Sequence, residues 1–128
     1  MTLPASMRLR GNRCFNRLHR SSRRHHGDWM ILRVISEDSR LLRPELRRHP
    51  TRCCRCALVI SSKVSKRAVR RNRLRRLLHH HLRQQLEHRE DLAGRWVMIS
   101  LRPEASQADP SQLLEECDSL LNCAGLGQ

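Results

Sequence analysis

Aromatic side chains are almost absent from this 128-residue chain, which has one Phe, two Trp and no Tyr. Lysine is nearly as rare, because 24 of the 26 basic residues are arginine. No apolar run approaches the roughly 20 residues that a membrane-spanning helix needs, and residues 1–10 lack the apolar core of a signal peptide. We therefore expect a cytoplasmic protein with a single domain over residues 1–128.

Acidic residues are missing from the middle of the chain, where none occurs between Glu45 and Glu87. The net charge is +14 and the isoelectric point is near 11.4. Residues 1–86 contain 23 Lys and Arg against 4 acids, whereas residues 87–128 contain 3 against 8. Such a charge indicates an anionic partner, and the planar guanidinium group of arginine suits RNA phosphates and bases. The acidic C-terminal part is expected to face away from that partner.

The basic charge is densest in residues 63–76, of which eight of fourteen are Lys or Arg. Leucines at positions 74, 77, 78, 82 and 86 follow helical spacing and predict one buried stripe. Ser65 is a candidate N-cap, and Gly94 lies where the chain could leave the helix. A merely solvated helix would mix both signs of charge. The pattern instead predicts a helix that packs with one face and binds a polyanion with the other.

The remaining pattern predicts an α+β fold with a small mixed sheet, one face covered by helices and the other open. Residues 7–20 are expected to form a first helix, residues 21–27 a basic turn, and residues 29–35 a strand. Residues 36–52 should be an exposed loop. The pattern of residues 53–61 predicts a second strand with Cys54, Cys56, Leu58 and Ile60 on one face. Residues 95–101 are expected to form a third strand, and residues 111–122 an acidic closing helix capped by Ser111.

The segment from Arg71 to Leu78, with its Arg-Asn-Arg start, resembles the signature of the bacterial ribonuclease P protein component. The residues before it (61–69), the opening around Arg8 and Phe15, and the strand ending at Arg102 followed by a last helix continue the resemblance over about residues 3–122. The resemblance implies the fold of the second domain of a small-subunit ribosomal protein, with a left-handed β-α-β crossover.

The resemblance also implies a function. Members of that family bind a large catalytic RNA, and the two together remove the 5′ leader of precursor tRNA. The RNA holds the Mg²⁺ ions and performs the chemistry, so no catalytic residue, protein-bound metal or organic cofactor is expected, nor is a protein oligomer required. The alternative is a non-catalytic basic RNA-binding protein, such as a ribosomal component or an RNA chaperone, with the same fold.

Two sets of residues follow from the resemblance. The first set should meet the catalytic RNA and consists of Lys63, Lys66, Arg67, Arg71, Asn72, Arg73, Arg75 and Arg76. The second should meet the leader, in a cleft between the first helix and the open sheet face, and consists of Phe15, Arg13, Arg17, His19 and Trp29. Arg13 and Arg17 are included only because they lie close to Phe15 in the predicted first helix. His19 stands where the family often has a second aromatic residue, which Trp29 could replace if it points into the cleft. His79 stands where Arg is usual, so the RNA contact at this position would depend on pH or be lost.

Other chemistry is weakly supported by the sequence. Cys53, Cys54 and Cys56 could contribute to a zinc site, but a second pair of ligands at metal spacing is missing. The six cysteines show no nucleophile motif. The basic half contains no pair of acids that could hold two metal ions, which argues against an unaided nuclease.

Overall fold

The structure is a computed structural model and describes residues 3, 7–9, 12–36 and 54–126. For residues 12, 13, 15, 19, 21 and 36 it describes the backbone alone. The predicted loop at residues 36–52 lies outside the described residues from position 37 onward, as does Cys53.

A four-stranded mixed sheet with order β1-β2-β4-β3 forms the centre of the fold. Its strands are β1 (Arg23–His26), β2 (Met30–Ser36), β3 (Arg55–Val59) and β4 (Arg95–Leu101). The described helices are α1 (Asn12–Ser21), α2 (Ala68–Leu86) and α3 (Pro110–Cys123), with short 3₁₀ helices at Glu90–Leu92 and Pro103–Gln107. β4 is antiparallel to β2 and parallel to β3, so α2 is the crossover between two parallel neighbours. The α+β prediction with a small mixed sheet is confirmed.

Strand alternation places the main core on one face of the sheet. Met30, Leu32 and Val34 of β2 point to this face, together with Val97 and Ile99 of β4. Leu78, Leu82 and Leu86 of α2 are fully buried against them, and each such leucine contributes about 2 kcal/mol of hydrophobic stabilisation. α3 covers the same face through residues that include Leu113, Cys117 and Leu121. The inward side of β3 is thus confirmed. Of the predicted leucine stripe, Leu78, Leu82 and Leu86 are buried, whereas Leu74 and Leu77 are only partly buried.

The opposite face was expected to be open, but α1 covers part of it. Cys14 and Leu18 of α1 pack with Ala57, Trp96 and Met98 of the sheet. The second face therefore has its own small core, and only the strand surface beyond α1 is left for a partner.

Several boundaries differ from the sequence predictions. α1 begins at Asn12 rather than at residue 7, because the chain before it runs beside β3, where the Leu9 N–H donates to the Cys56 carbonyl at 2.9 Å. The predicted basic turn at residues 21–27 is the edge strand β1. It lacks an apolar pattern, and it forms by pairing with β2.

The helix caps also differ. α2 begins at Ala68 with Arg67 as N-cap rather than Ser65, whose Oγ instead accepts a hydrogen bond from the Arg67 N–H at 3.2 Å. α3 is capped by Asp109 rather than Ser111, in a capping box with Gln112. Gly94 has φ 83° and forms the turn into β4, eight residues beyond the end of α2.

Candidate RNA-binding surfaces

The outer side of α2 and the chain leading into it carry exposed cationic side chains. We call this the α2 basic face, formed by Lys63, Lys66, Arg67, Arg70, Arg73 and Arg76. Its members are exposed because the leucines of the opposite side turn inward, which fixes the rotation of the helix. Arg73 and Arg76 make no hydrogen bond or ion pair within the described part of the chain. Their donors therefore remain available to a phosphate.

Three arginines of the same helix, including Arg70 of the α2 basic face, make hydrogen bonds within the protein. Arg71 is half-buried, and its Nη1 donates to the Ser65 carbonyl at 2.7 Å, which fixes the approach to the helix. Arg75 donates through Nη1 to the Asn72 Oδ1 at 3.0 Å. Arg70 donates to the Ser106 carbonyl and so ties α2 to the 3₁₀ helix before α3. The predicted set thus separates into side chains that shape the surface and side chains that extend from it.

His79 lies half-buried on α2. Burial lowers the pKa of its imidazole, and the nearby charges of Arg75 and Arg8 lower it further. The ring is therefore neutral near pH 7, and its Nδ1 is buried without a hydrogen-bond partner among the described residues. A charged contact from this position to RNA is not favoured at neutral pH.

A second cationic surface lies on the α1 side of the sheet. We call it the α1-side surface and define it by Arg17, Arg20, Arg24, His26 and Arg33. Arg24 and Arg33 are register partners on β1 and β2, whereas Arg17 and Arg20 are exposed on α1. Burial and the charge of Arg24 lower the pKa of Arg33, which still remains a cation at neutral pH. Two like charges held side by side favour an anion between them.

Arg24 and Arg33 were absent from the sequence-predicted sites. A usable signal was present for Arg33, because Met30, Leu32 and Val34 alternate as the inward residues of β2. That period of two places Arg33 on the other face. The position of Arg24 depends on the pairing of β1 with β2, which the polar sequence of β1 does not reveal.

The remaining leader-binding residues are spread over different places. Phe15, Arg13 and His19 belong to α1, but their side chains lie outside what the structure describes. Arg17 is exposed on α1. Trp29 packs against the main core and lines a groove with Glu115 and Glu116 of α3, on the face away from α1. Its position gives no support to a place in the leader cleft.

The cysteines lie mostly in the cores. Cys54 and Cys56 are buried on the inward side of β3, with their Sγ atoms 3.8 Å apart. The hydrogen bond to Cys56 lowers the pKa of the Cys54 thiol, whereas burial raises the pKa of Cys117 to about 12. Among the described residues no group of three or more His, Cys, Asp or Glu side chains is placed to hold a metal ion. None of the described helices is long and apolar enough to cross a bilayer.

Comparisons with known proteins agree with this geometry. The family model described as Ribonuclease P matches residues 3–125. A ribonuclease P protein component of Parasynechococcus marenigrum is 88% identical over 128 residues and covers both chains completely. One from Synechococcus sp. (strain CC9902) is 73% identical over 98% of each chain.

Two solved structures share the fold. The ribonuclease P protein of Staphylococcus aureus matches with a TM-score of 0.73 at 15% identity, over 95% of this chain and 98% of its own. That of Thermotoga maritima matches with a TM-score of 0.67 at 18% identity, over 91% of this chain and 96% of its own. At these identities the two structures support the fold alone. The family match overturns the alternative of a ribosomal or chaperone protein: the chain belongs to the ribonuclease P protein family, whose members are the protein subunit of an RNA-containing endoribonuclease that removes the 5′ leader of precursor tRNA.

Proposed function

We propose that this protein joins two RNA molecules, with the α2 basic face on the catalytic RNA and the α1-side surface on the 5′ leader of precursor tRNA. The observation that carries the proposal is the separation of cationic side chains onto two faces of one small sheet. No ion pair within the described part of the chain neutralises Arg73 or Arg76. A polyanion bound there gains from the release of its counterions.

The catalytic RNA is assigned to the α2 basic face because that face is rigidly positioned. Three buried leucines anchor α2 on the sheet, and Arg71 fixes the preceding turn. Lys63, Lys66 and Arg67 extend the cationic line toward the N-terminal side of the helix. Because the helix backbone is already ordered, it can follow the phosphates of a folded RNA without a further loss of backbone entropy on binding.

The leader is assigned to the α1-side surface. A single strand needs a cationic groove together with surfaces on which bases can stack. Arg17, Arg24 and Arg33 supply the charge. The stacking surface is assigned to Phe15 by its position on α1 and by the family resemblance. Arg13 and His19 are assigned to the same contact because they lie on the same helix.

The bond-breaking step belongs to the RNA in this proposal. Mg²⁺ in the holoenzyme would supply the electrostatic stabilisation of the phosphodiester reaction, and we assign it mainly to the RNA component because residues 1–86 contain only 4 acidic residues. The protein contributes by screening repulsion between catalytic RNA and leader, and by holding the leader in place. One protein copy in the cytoplasm, where tRNA precursors are made, meets these requirements.

Reconstitution tests the proposal. Purified protein is mixed with its cognate catalytic RNA and precursor tRNA, and cleavage is measured over a series of magnesium concentrations. We expect the protein to lower the magnesium needed for half-maximal cleavage, and to increase affinity for precursor tRNA more than for mature tRNA.

A matched control is Gln84→Ala, which changes an exposed uncharged residue of α2 outside both surfaces. It should behave like the unchanged protein. If the protein left the magnesium dependence unaltered, or raised the affinity for both tRNAs equally, the two-surface proposal would be wrong.

A further inference from the structure

A groove with apolar lining residues borders the α2 basic face. It lies between the first turns of α2 and the start of α3, and has a volume of about 980 Å³. Its lining combines the apolar residues Ala68, Val69, Leu74, Ala108 and Pro110 with Ser65 and the cationic residues Arg67, Arg70 and Arg73. Ligand sites in proteins typically measure about 300–1,000 Å³, so the space suffices for a molecular fragment of nucleotide size.

Val69 is the unusual residue of this groove. It is 73% exposed, and within the described part of the chain it is the one large hydrophobic side chain classed as exposed. A valine within a dense run of arginines does nothing for a surface that meets only phosphates. Exposed apolar side chains rimmed by polar groups commonly mark a contact with a partner.

The second wall of the groove is held in place by tertiary contacts. Arg70 donates to the Ser106 carbonyl, which ties the two sides together. The capping box of α3, in which the Asp109 N–H donates to the Gln112 Oε1 at 2.9 Å, fixes the segment that carries Ala108 and Pro110. The groove is therefore a formed feature of the fold.

We propose that this groove receives an unpaired nucleotide of the catalytic RNA, with its base against the apolar lining residues and its phosphates on the neighbouring arginines. This inference rests on the proposed function of the α2 basic face and adds the kind of RNA element that the face recognises. A paired A-form helix presents phosphates, hydroxyl groups and base edges, none of which gains from covering Val69. An unstacked base presents a flat apolar face next to negative charge, and guanidinium planes can stack on it.

The groove favours a nucleotide over a protein segment because its charge continues that of the neighbouring surface. No acidic side chain lines it, and Arg73 belongs both to the groove and to the outer side of α2. RNA that follows the α2 basic face therefore reaches the groove without leaving a cationic surface.

The test compares Val69→Ala with Arg73→Ala in the full-length protein bound to the intact catalytic RNA. Val69→Ala removes two exposed methyl groups, leaves the charge unchanged and favours the helix. We expect its affinity for the catalytic RNA to fall about three- to tenfold, with an unchanged dependence on salt. Arg73→Ala should lower both the affinity and the salt dependence.

Chemical probing of the RNA provides a second readout. Reagents that modify unpaired nucleotides should find at least one nucleotide protected by the unchanged protein and exposed again with Val69→Ala. Gln84→Ala, on the same helix but outside the groove, should keep the protection.

Three results would overturn the inference. An unchanged affinity and footprint with Val69→Ala, while Arg73→Ala weakens binding, would show that the groove is empty in the complex and leave the proposed function intact. A loss confined to precursor tRNA would identify the leader as the occupant. A change only in self-association of the protein, measured by sedimentation, would identify a second copy of the chain. Failure of the unchanged protein to bind the catalytic RNA would instead contradict the proposed function.

Discussion

The salt dependence of RNA binding should distinguish arginines that extend from α2 from those that are already paired. Arg73 and Arg76 are exposed and have no partner within the described residues, so each can meet one phosphate. Arg83 lies on the same helix, but its Nε donates to the Glu87 Oε2 at 3.0 Å. All three positions lose one positive charge on substitution by alanine, and alanine preserves the helix.

The expected magnitude follows from counterion release. Each phosphate contact contributes about 0.7–0.9 to the slope of log affinity against log salt. Arg73→Ala and Arg76→Ala should therefore each reduce the slope by about that amount, and the double variant by about twice as much. When salt is raised from 50 to 200 mM, the affinity of every protein falls, and the fall for each single variant should be about threefold smaller than that for the unchanged protein. Arg83→Ala should leave the slope nearly unchanged.

The assay is filter binding of the protein to the catalytic RNA at four or more salt concentrations. Circular dichroism checks that each variant retains its helices. Equal slope changes for Arg83→Ala and Arg73→Ala would refute the reasoning, because overall charge and not the geometry of the exposed side chains would then determine binding.

Three further predictions concern other parts of the molecule. Glu116→Ala should lower the free energy of unfolding in urea by about 1–2 kcal/mol, because its carboxylate accepts the Asp28 and Trp29 N–H groups at 2.5 and 2.8 Å; Glu115→Ala, an exposed neighbour, should cost little, and equal losses would contradict the assignment. Arg17→Ala should lower the affinity of the holoenzyme for precursor tRNA several-fold and leave its affinity for mature tRNA unchanged. An equal loss of affinity for both would show that Arg17 does not contact the leader. The pKa of His79 is lowered in the folded state, so its contribution to stability is complete above the unfolded pKa of about 6.5 and declines as pH falls through that value. His79→Gln should reduce this decline. Identical unfolding curves of the unchanged protein at pH 5.5 and 7.5 would count against a perturbed His79.

Periodic apolar residues explain what the sequence could predict of the fold. β4 runs from Arg95 to Leu101 as expected, and the inward side of β3 is correct, because each is a short apolar strand bounded by polar residues. The N-caps of α2 and α3 were each misplaced by two residues, because Arg67 and Asp109 occupy them rather than Ser65 and Ser111. Local preference favours serine over arginine and does not separate serine from aspartate, so tertiary packing decides both starts.

β1 could not be predicted, and its formation has a nonlocal cause. The sequence Arg-Arg-His-His carries no strand pattern. Its turn into β2 is held by Glu116 from α3, 88 residues away from Asp28 along the chain. A Cβ at Gly27 would collide with the Glu116 carboxylate, which would then have to move away from the Asp28 and Trp29 N–H groups that it accepts. Contacts of this kind exist only after the sheet and α3 have packed together.

The sequence could predict which segment carries the positive charge of the candidate site, but not which of its arginines form hydrogen bonds within the protein. The charge pattern identifies the segment at residues 63–76 as the cationic helix and its approach. It does not reveal that Arg70 binds the Ser106 carbonyl or that Arg71 binds the Ser65 carbonyl, since those acceptors are positioned by tertiary structure. The groove around Val69 was missed for the same reason, because its lining brings residues of α2 together with Ala108 and Pro110.

The distribution of acidic residues explains how the protein keeps its cationic surface available. Glu116 accepts backbone N–H groups, and Asp118 lies 2.7 Å from the His81 Nε2. Glu87 and Asp91 each pair with an arginine close in sequence. None of these contacts reaches Arg73 or Arg76. Acids at the C-terminal end thus stabilise the fold locally while leaving the outer side of α2 uncompensated. A new acid near the C-terminal end of α2, as in Gln84→Glu, should weaken RNA binding less than Arg76→Ala, because Gln84 lies outside the α2 basic face and its substitution removes no phosphate-binding group.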